Sequence, residues 1–269
     1  MVRMTTNLPG GTPSVTSLRS LTPPLAVTVD GARDAYEPGI GPNLPIPRYL
    51  EQVYWWAYVH PQAIYVFERG WLVNLILFGN YGRLRDTALA RLGEPITGRT
   101  LQVACVYGNL TPRLCARLAP DATLDVVDIL PLQLKNLRKK LPPDARVALL
   151  LGDSSMLACP DAGYDQVLLF FLLHEQPEHV RRQTLAEAMR VVKPGGRIVI
   201  VDYHRPVPLH PLRLFMRAIF RRLEPYAMQL WTHEIEEYFP AAGPPELRPA
   251  SIEKHTYFGG QYQMLVLTR

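Results

Sequence analysis

The chain has 269 residues, 48% hydrophobic and 20% charged, which suffices for one sizeable core with an appendage. Its net charge of +5 suits nucleic acid, an anionic membrane surface or a negatively charged ligand, and does not choose among them. Three cysteines without ligand-type spacing argue against a disulfide framework or zinc cluster, and no apolar run approaches the roughly 20 residues that span a bilayer.

Residues 1–47 are rich in Pro, Gly, Thr and Ser and bury too little apolar surface to offset their ordering entropy, so a disordered tail is expected. Residues 48–98 switch abruptly to aromatic composition, with Tyr54, Trp55, Tyr58 and Trp71 among the rings. Two or three short helices are expected there as a cap, one starting near Pro61. These rings suit either a lid over a flat, greasy substrate or the packing of the cap itself.

Residues 99–269 read as alternating strands and helices. Strands are expected at 99–105, 123–128, up to Gly152, at 167–173 and at 197–202. The first helix is opened by Thr111 as N-cap, and others begin near Pro131 and Pro177. Residues 252–258 and 262–268 flank Gly259-Gly260 as a hairpin. The fold class is therefore α/β: Rossmann-like, a mostly parallel seven-stranded sheet with a C-terminal antiparallel hairpin and an N-terminal helical cap.

In such sheets the strand ends face one crevice. Asp128 ends the second strand, where a carboxylate accepts ribose hydroxyls or caps the next helix, with Ile129 beside it. Asp153, with Ser154 beside it, suits an adenine amino group or a backbone turn. His174 and Glu175 end the fourth strand, and Asp202, Tyr203 and His204 the fifth. His174, Glu175, Asp202 and His204 are candidate ligands for a manganese-type ion, and the two histidines are equally candidate bases. Tyr81, just before the core, is a third catalytic candidate. Between Pro211 and Glu224, apolar residues line one helical face with arginines beside it, a pattern for a membrane interface or for packing on the sheet. The basic residues are dispersed and stand apart from the aromatics, which argues against nucleic acid.

The strings LQVACVYGN, LDVVDI, GDSSML and RVVKPGGRIVIVD resemble, in order and spacing, the class I S-adenosylmethionine (SAM) methyltransferases. The usual first motif of that family reads Leu-Asp-Val-Ala-Cys-Gly-Thr-Gly. This chain places Gln102, Val106 and Tyr107 where the acid, a glycine and the threonine stand, and keeps Gly108. In the family the acid helps to anchor the SAM ammonium. A neutral amide removes that bias toward the protonated amine, and an uncharged amine is a nucleophile. A degenerate pocket that binds SAM poorly is the alternative.

Over residues 48–240, YLEQVYWWAYVHP, WLVNLILFGNYGRLRD, LQVACVYGNLTPRL, DQVLLFFLLHEQP and KPGGRIVIVDYHRP resemble the RquA family of rhodoquinone-biosynthesis enzymes, relatives of the ubiquinone-pathway methyltransferases. The resemblance implies replacement of a ubiquinone methoxy group by the amino group of SAM, with Mn2+. The expected location is cytoplasmic, on the inner face of the membrane, reached through the aromatic cap and the 211–224 helix. Methylation of a quinone or phenolic lipid, and a silent scaffold in a quinone-synthesis assembly, are the rival readings.

Overall fold

The computed structural model describes residues 44–54, 67–239 and 248–269, together with the backbone of residues 27–28. Trp55, Tyr58, the helix expected at Pro61 and most of the expected tail lie outside the described residues. Within that tail, Val27–Thr28 forms a short strand, β1, antiparallel to β4 (Val147–Leu151).

Among the described residues, three helices precede the core: α1 (Arg48–Val53), α2 (Gly70–Ile76) and α3 (Tyr81–Leu92). The parallel strands β2 (Arg99–Val103), β3 (Thr123–Asp128), β4, β5 (Tyr164–Phe170) and β6 (Val192–Tyr203) follow. They alternate with α4 (Leu110–Cys115), α5 (Pro131–Lys140) and α6 (Glu178–Val191). Helix α7 (Arg213–Leu223) precedes the hairpin of β7 (Ser251–Tyr257) and β8 (Tyr262–Thr268). The sheet order is β1-β4-β3-β2-β5-β6-β8-β7. The chain reverses direction across the sheet between β2 and β5, which opens a crevice at their carboxyl ends.

The sheet is buried on both faces, as the continuous apolar runs require. Leu168, Phe170, Val199 and Val201 pack with α3 and α5 residues such as Leu84, Leu134 and Leu137. Val167, Leu169, Ile198 and Ile200 pack on the other side with Leu185, Ala188 and Met189 of α6.

Three local expectations are corrected. Strand β5 ends at Phe170, because Phe171 turns to a φ of 52°, and residues 173–175 form a 3-10 turn. Thr111 sits inside α4 and not at its N-cap, which is Asn109. Lys193-Pro194-Gly195-Gly196 is an irregularity within β6: Val192 pairs with Tyr164 and Arg197 with Gln166, so the extra residues bulge outward. A Cβ on Gly196 would stand 2.8 Å from the Lys193 carbonyl oxygen, which leaves glycine as the residue that fits.

Leu168 is fully buried in the central strand. Leu168→Ala should lower the unfolding free energy by about 2–5 kcal/mol through lost burial and a residual cavity. Urea melts followed by circular dichroism would read this, and an unchanged midpoint and slope would contradict the packing described.

Candidate functional site

The carboxyl ends of β2 through β6 open into a cavity of about 760 Å3, covered by α1, α2 and α7. One end is polar, with Asp128, Gln133, Asp153 and Ser154. The remainder is apolar and aromatic, with Phe78, Phe170, Phe171, Tyr203, Phe215 and Phe220. Tyr54, in the segment after α1, is buried and lines it, a placement that fits both a lid and the packing of the cap.

The loop after β2 is held from three sides. Ala104 adopts φ 71° and Gly108 φ 88°. A Cβ on Gly108 would meet the Tyr81 hydroxyl at 2.6 Å, so glycine is retained here to admit that side chain. The Tyr81 hydroxyl accepts the Asn109 N–H at 3.0 Å and donates to the Tyr107 carbonyl at 3.5 Å. Glu68 accepts the Gly108 N–H and is paired with Lys140 at 2.6 Å, while Lys140 also donates to the Gly108 carbonyl. Tyr107 stacks on Phe67 and accepts a hydrogen bond from Gln133 at 2.9 Å. Its ring thus bounds the space beside the loop that a small hydroxyl residue leaves open.

Asp128 joins two strand ends. One oxygen accepts the Cys105 N–H at 2.7 Å and the other the Leu130 N–H at 2.8 Å. Burial pushes its carboxyl up to about 6, against the pull of those amides. It also accepts the Cys105 thiol and the Ile129 N–H, and it lines the cavity, where a carboxylate can accept ligand hydroxyls. Asp153 accepts the N–H and hydroxyl of Ser155 on one oxygen, and its other oxygen takes no hydrogen bond among the described residues. Burial raises the Cys105 thiol well above its ordinary range, so it lines the cavity as an inert group.

The floor holds a charged cluster. Asp202, fully buried, accepts the backbone N–H groups of Leu173 and His174 on one oxygen and that of Tyr203 on the other. The second oxygen lies 3.0 Å from His174 Nδ1, while His174 Nε2 is 3.7 Å from Glu175 and 3.6 Å from Glu224. Burial alone would lower the His174 pKa; Asp202, Glu224 and Glu175 outweigh it and raise it to about 9. The imidazole is therefore cationic at neutral pH. Glu224 is itself pushed up by burial, with His174 opposing.

Several predicted roles are revised. Gln102 does not face the cavity: it is fully buried, donates to the Ala104 carbonyl and accepts the Thr111 hydroxyl at 2.9 Å. It braces the loop from beneath, so its effect on a bound amine is indirect. Gly108 likewise serves packing, and Tyr81, though it lines the cavity, has its hydroxyl engaged with the loop. Val106, Tyr107, Asp128, Ile129, Asp153, Ser154, His174 and Glu175 do line the cavity. His204 does not: its ring meets the Gly260 carbonyl at 2.8 Å and Glu234 at 3.3 Å. Trp71 is 63% exposed and stands outside the lining. The four predicted metal ligands do not form one site, since Asp202 is committed to backbone amides and His204 stands apart. Among the described residues no group of three or more His, Cys, Asp and Glu side chains is arranged for a metal ion.

Glu224 and Tyr49, both at the cavity, escaped the sequence reading. Glu224 had a signal: it is the single acid in the basic, apolar stretch 211–224, four residues beyond buried Phe220. Tyr49 had none.

Residues 100–196 match a methyltransferase domain family. The chain is similar to demethylmenaquinone methyltransferase of Bacillus licheniformis, 26% identical over 165 residues that cover 61% of this chain and 70% of the relative. The enzyme of that name from a Geobacillus species is 27% identical over 167 residues, with the same shares covered. Among solved structures, phosphoethanolamine N-methyltransferase 2 of Haemonchus contortus in complex with S-adenosyl-L-methionine superposes with a TM-score of 0.57 at 13% identity. That match covers 84% of this chain and 60% of the other. An O-methyltransferase family protein of Burkholderia thailandensis gives 0.54 at 18%, covering 73% and 58%. This chain thus spans less than two thirds of those two solved chains. The likeness shows a class I methyltransferase fold.

Tyr81→Phe should remove the acceptor of the part-buried Asn109 N–H and lower stability by about 0.5–1.5 kcal/mol, read by urea melts. The folded pKa of His174, about 9, exceeds its ordinary 6.5. Its stabilisation is therefore complete below about pH 6.5 and lost as pH rises through about 9. The stability gap between the wild type and His174→Gln should narrow over that window. A gap independent of pH would mean that the carboxylates do not hold an imidazolium.

Proposed function

We propose that this protein is a SAM-utilising transferase acting on a lipid quinone, and that it transfers the amino group of SAM to ubiquinone: the nitrogen bonds to the ring as the methoxy group leaves as methanol, loss of the α-proton passes two electrons from the SAM α-carbon to the ring, and hydrolysis of the resulting imine breaks the nitrogen–carbon bond, leaving the reduced form of rhodoquinone and a 2-oxo acid. The observation that carries the quinone reading is the single cavity in which carboxylates fit for a nucleoside join a chamber walled by aromatic rings. Asp128 would take the ribose hydroxyls and Asp153 the adenine amino group. The quinone ring would lie among Phe170, Phe171 and Tyr203, with its tail toward Phe215 and Leu223.

Support for amino transfer comes from the altered loop. Val106 and Tyr107 reshape the place where the methionine end of SAM binds, and Gln102 beneath brings no charge to favour an ammonium there. The cationic His174 can donate a hydrogen bond to a quinone carbonyl as the ring takes on electron density from the attacking amine. The four residues expected to bind manganese do not fit that ion as a set, and this chemistry rests on the chain's own side chains.

The relatives named demethylmenaquinone methyltransferase favour a second reading, methyl transfer to a quinone ring. Purified protein incubated with ubiquinone and nitrogen-labelled SAM separates the two by mass spectrometry. Labelled nitrogen in the lipid, with loss of methoxy, is expected; a methylated lipid with S-adenosylhomocysteine would establish the second reading instead. Asp128→Asn should weaken SAM binding about tenfold to a hundredfold, measured by calorimetry, as expected for lost charge-assisted hydrogen bonds. Unchanged affinity would move the nucleoside site elsewhere.

A further inference from the structure

Helix α7 buries only part of its apolar face. Met216 and Phe220 reach the core, whereas Leu214 is 79% and Phe215 55% exposed. The loop before it adds Val207 and Leu209, the latter 95% exposed, and α2 adds Leu75 and Ile76. Three of these side chains reach the cavity itself: Leu75, Ile76 and Phe215 line its wall, and Phe215 meets Phe78 at 6.4 Å between ring centroids. An apolar rim left open around a greasy chamber marks a docking surface.

Charge identifies the occupant. Arg213, Arg217, Arg221 and Arg222 stand on this one helix. None has an acidic partner within ion-pair distance among the described residues, although other surface arginines, such as Arg182 and Arg190, do. Three of the four are exposed. Unpaired arginines beside protruding Leu and Phe are complementary to a surface that is anionic outside and apolar within. No helix of the described residues is long and apolar enough to cross a membrane, so the contact is lateral.

We propose that α7, the 207–209 loop and the end of α2 seat the cavity mouth on an anionic lipid bilayer, with Leu209, Leu214 and Phe215 inserted among the acyl chains and the arginines at the phosphates. A lipid substrate then passes from bilayer to chamber without crossing water. Docking is a property of the surface and holds whichever group the enzyme transfers.

The test is sedimentation of the full chain with vesicles of phosphatidylcholine alone or mixed with phosphatidylglycerol. Binding is expected to the anionic vesicles and to weaken with salt. Arg217→Gln and Arg221→Gln should each weaken it roughly fivefold. Leu214→Glu, at a position outside the cavity wall, should abolish it while calorimetric SAM binding and the thermal midpoint stay unchanged. Equal binding to neutral vesicles, or full binding by Leu214→Glu, would overturn the proposal. So would a concentration-dependent dimer that Leu214→Glu dissolves without any vesicle binding, since the rim would then fit a second copy of the chain.

Discussion

A buried carboxylate ties together the two strand ends on which this molecule's site is built. Asp128 holds the first residue pairs beyond β2 and β3 by accepting one amide from each side, at 2.7 and 2.8 Å. Placing a carboxylate where burial pushes its pKa up to about 6 is unfavourable by itself, and the two amides offset part of that cost. The result is a fixed loop with a carboxylate at the cavity wall. Three further side chains hold this loop: Tyr81 accepts the Asn109 amide, Gln102 braces it from below and Glu68 pins its glycine.

The far end of the cavity follows a different logic. The chamber there is apolar and aromatic, and a charge beside it persists only in company. His174 has three carboxylates around one ring, and Asp202 has three backbone amides of its own, so the cluster holds its charges by mutual satisfaction. Polar positioning at one end and a cation beside an aromatic chamber at the other give the two halves of the cavity separate tasks. Glu224 caps the C-terminal end of α7, the helix that also supplies Phe215 to the cavity wall, so the floor of the site and its entrance share one element.

Much of this was legible from residues alone. The strands at 99, 123 and 197 and the hairpin around Gly259-Gly260 announce themselves through apolar runs bounded by turn residues, and the position of Asp128 after the second strand marks it without any coordinates. Strand ends were less legible, because nothing in DQVLLFFLLHE distinguishes the last paired residue from Phe171, where a positive φ breaks the run. The convergence of His174 with His204 failed for a related reason. Both follow strand ends, yet the 3-10 turn carries His174 inward while His204 turns to the carbonyl of Gly260 in the hairpin.

The sequence by itself determined the layered α/β architecture and the strand-end placement of Asp128, because apolar periodicity and strand-end position are local properties of the chain. Only the tertiary structure decided which way each polar side chain turns. Gln102 bonds Thr111 and not a ligand, Glu224 joins His174 across 50 residues, and Trp71 stays at the surface. Such pairings are settled by the hydrogen-bond and desolvation demands of groups distant in sequence, and these arise when the strands are already side by side.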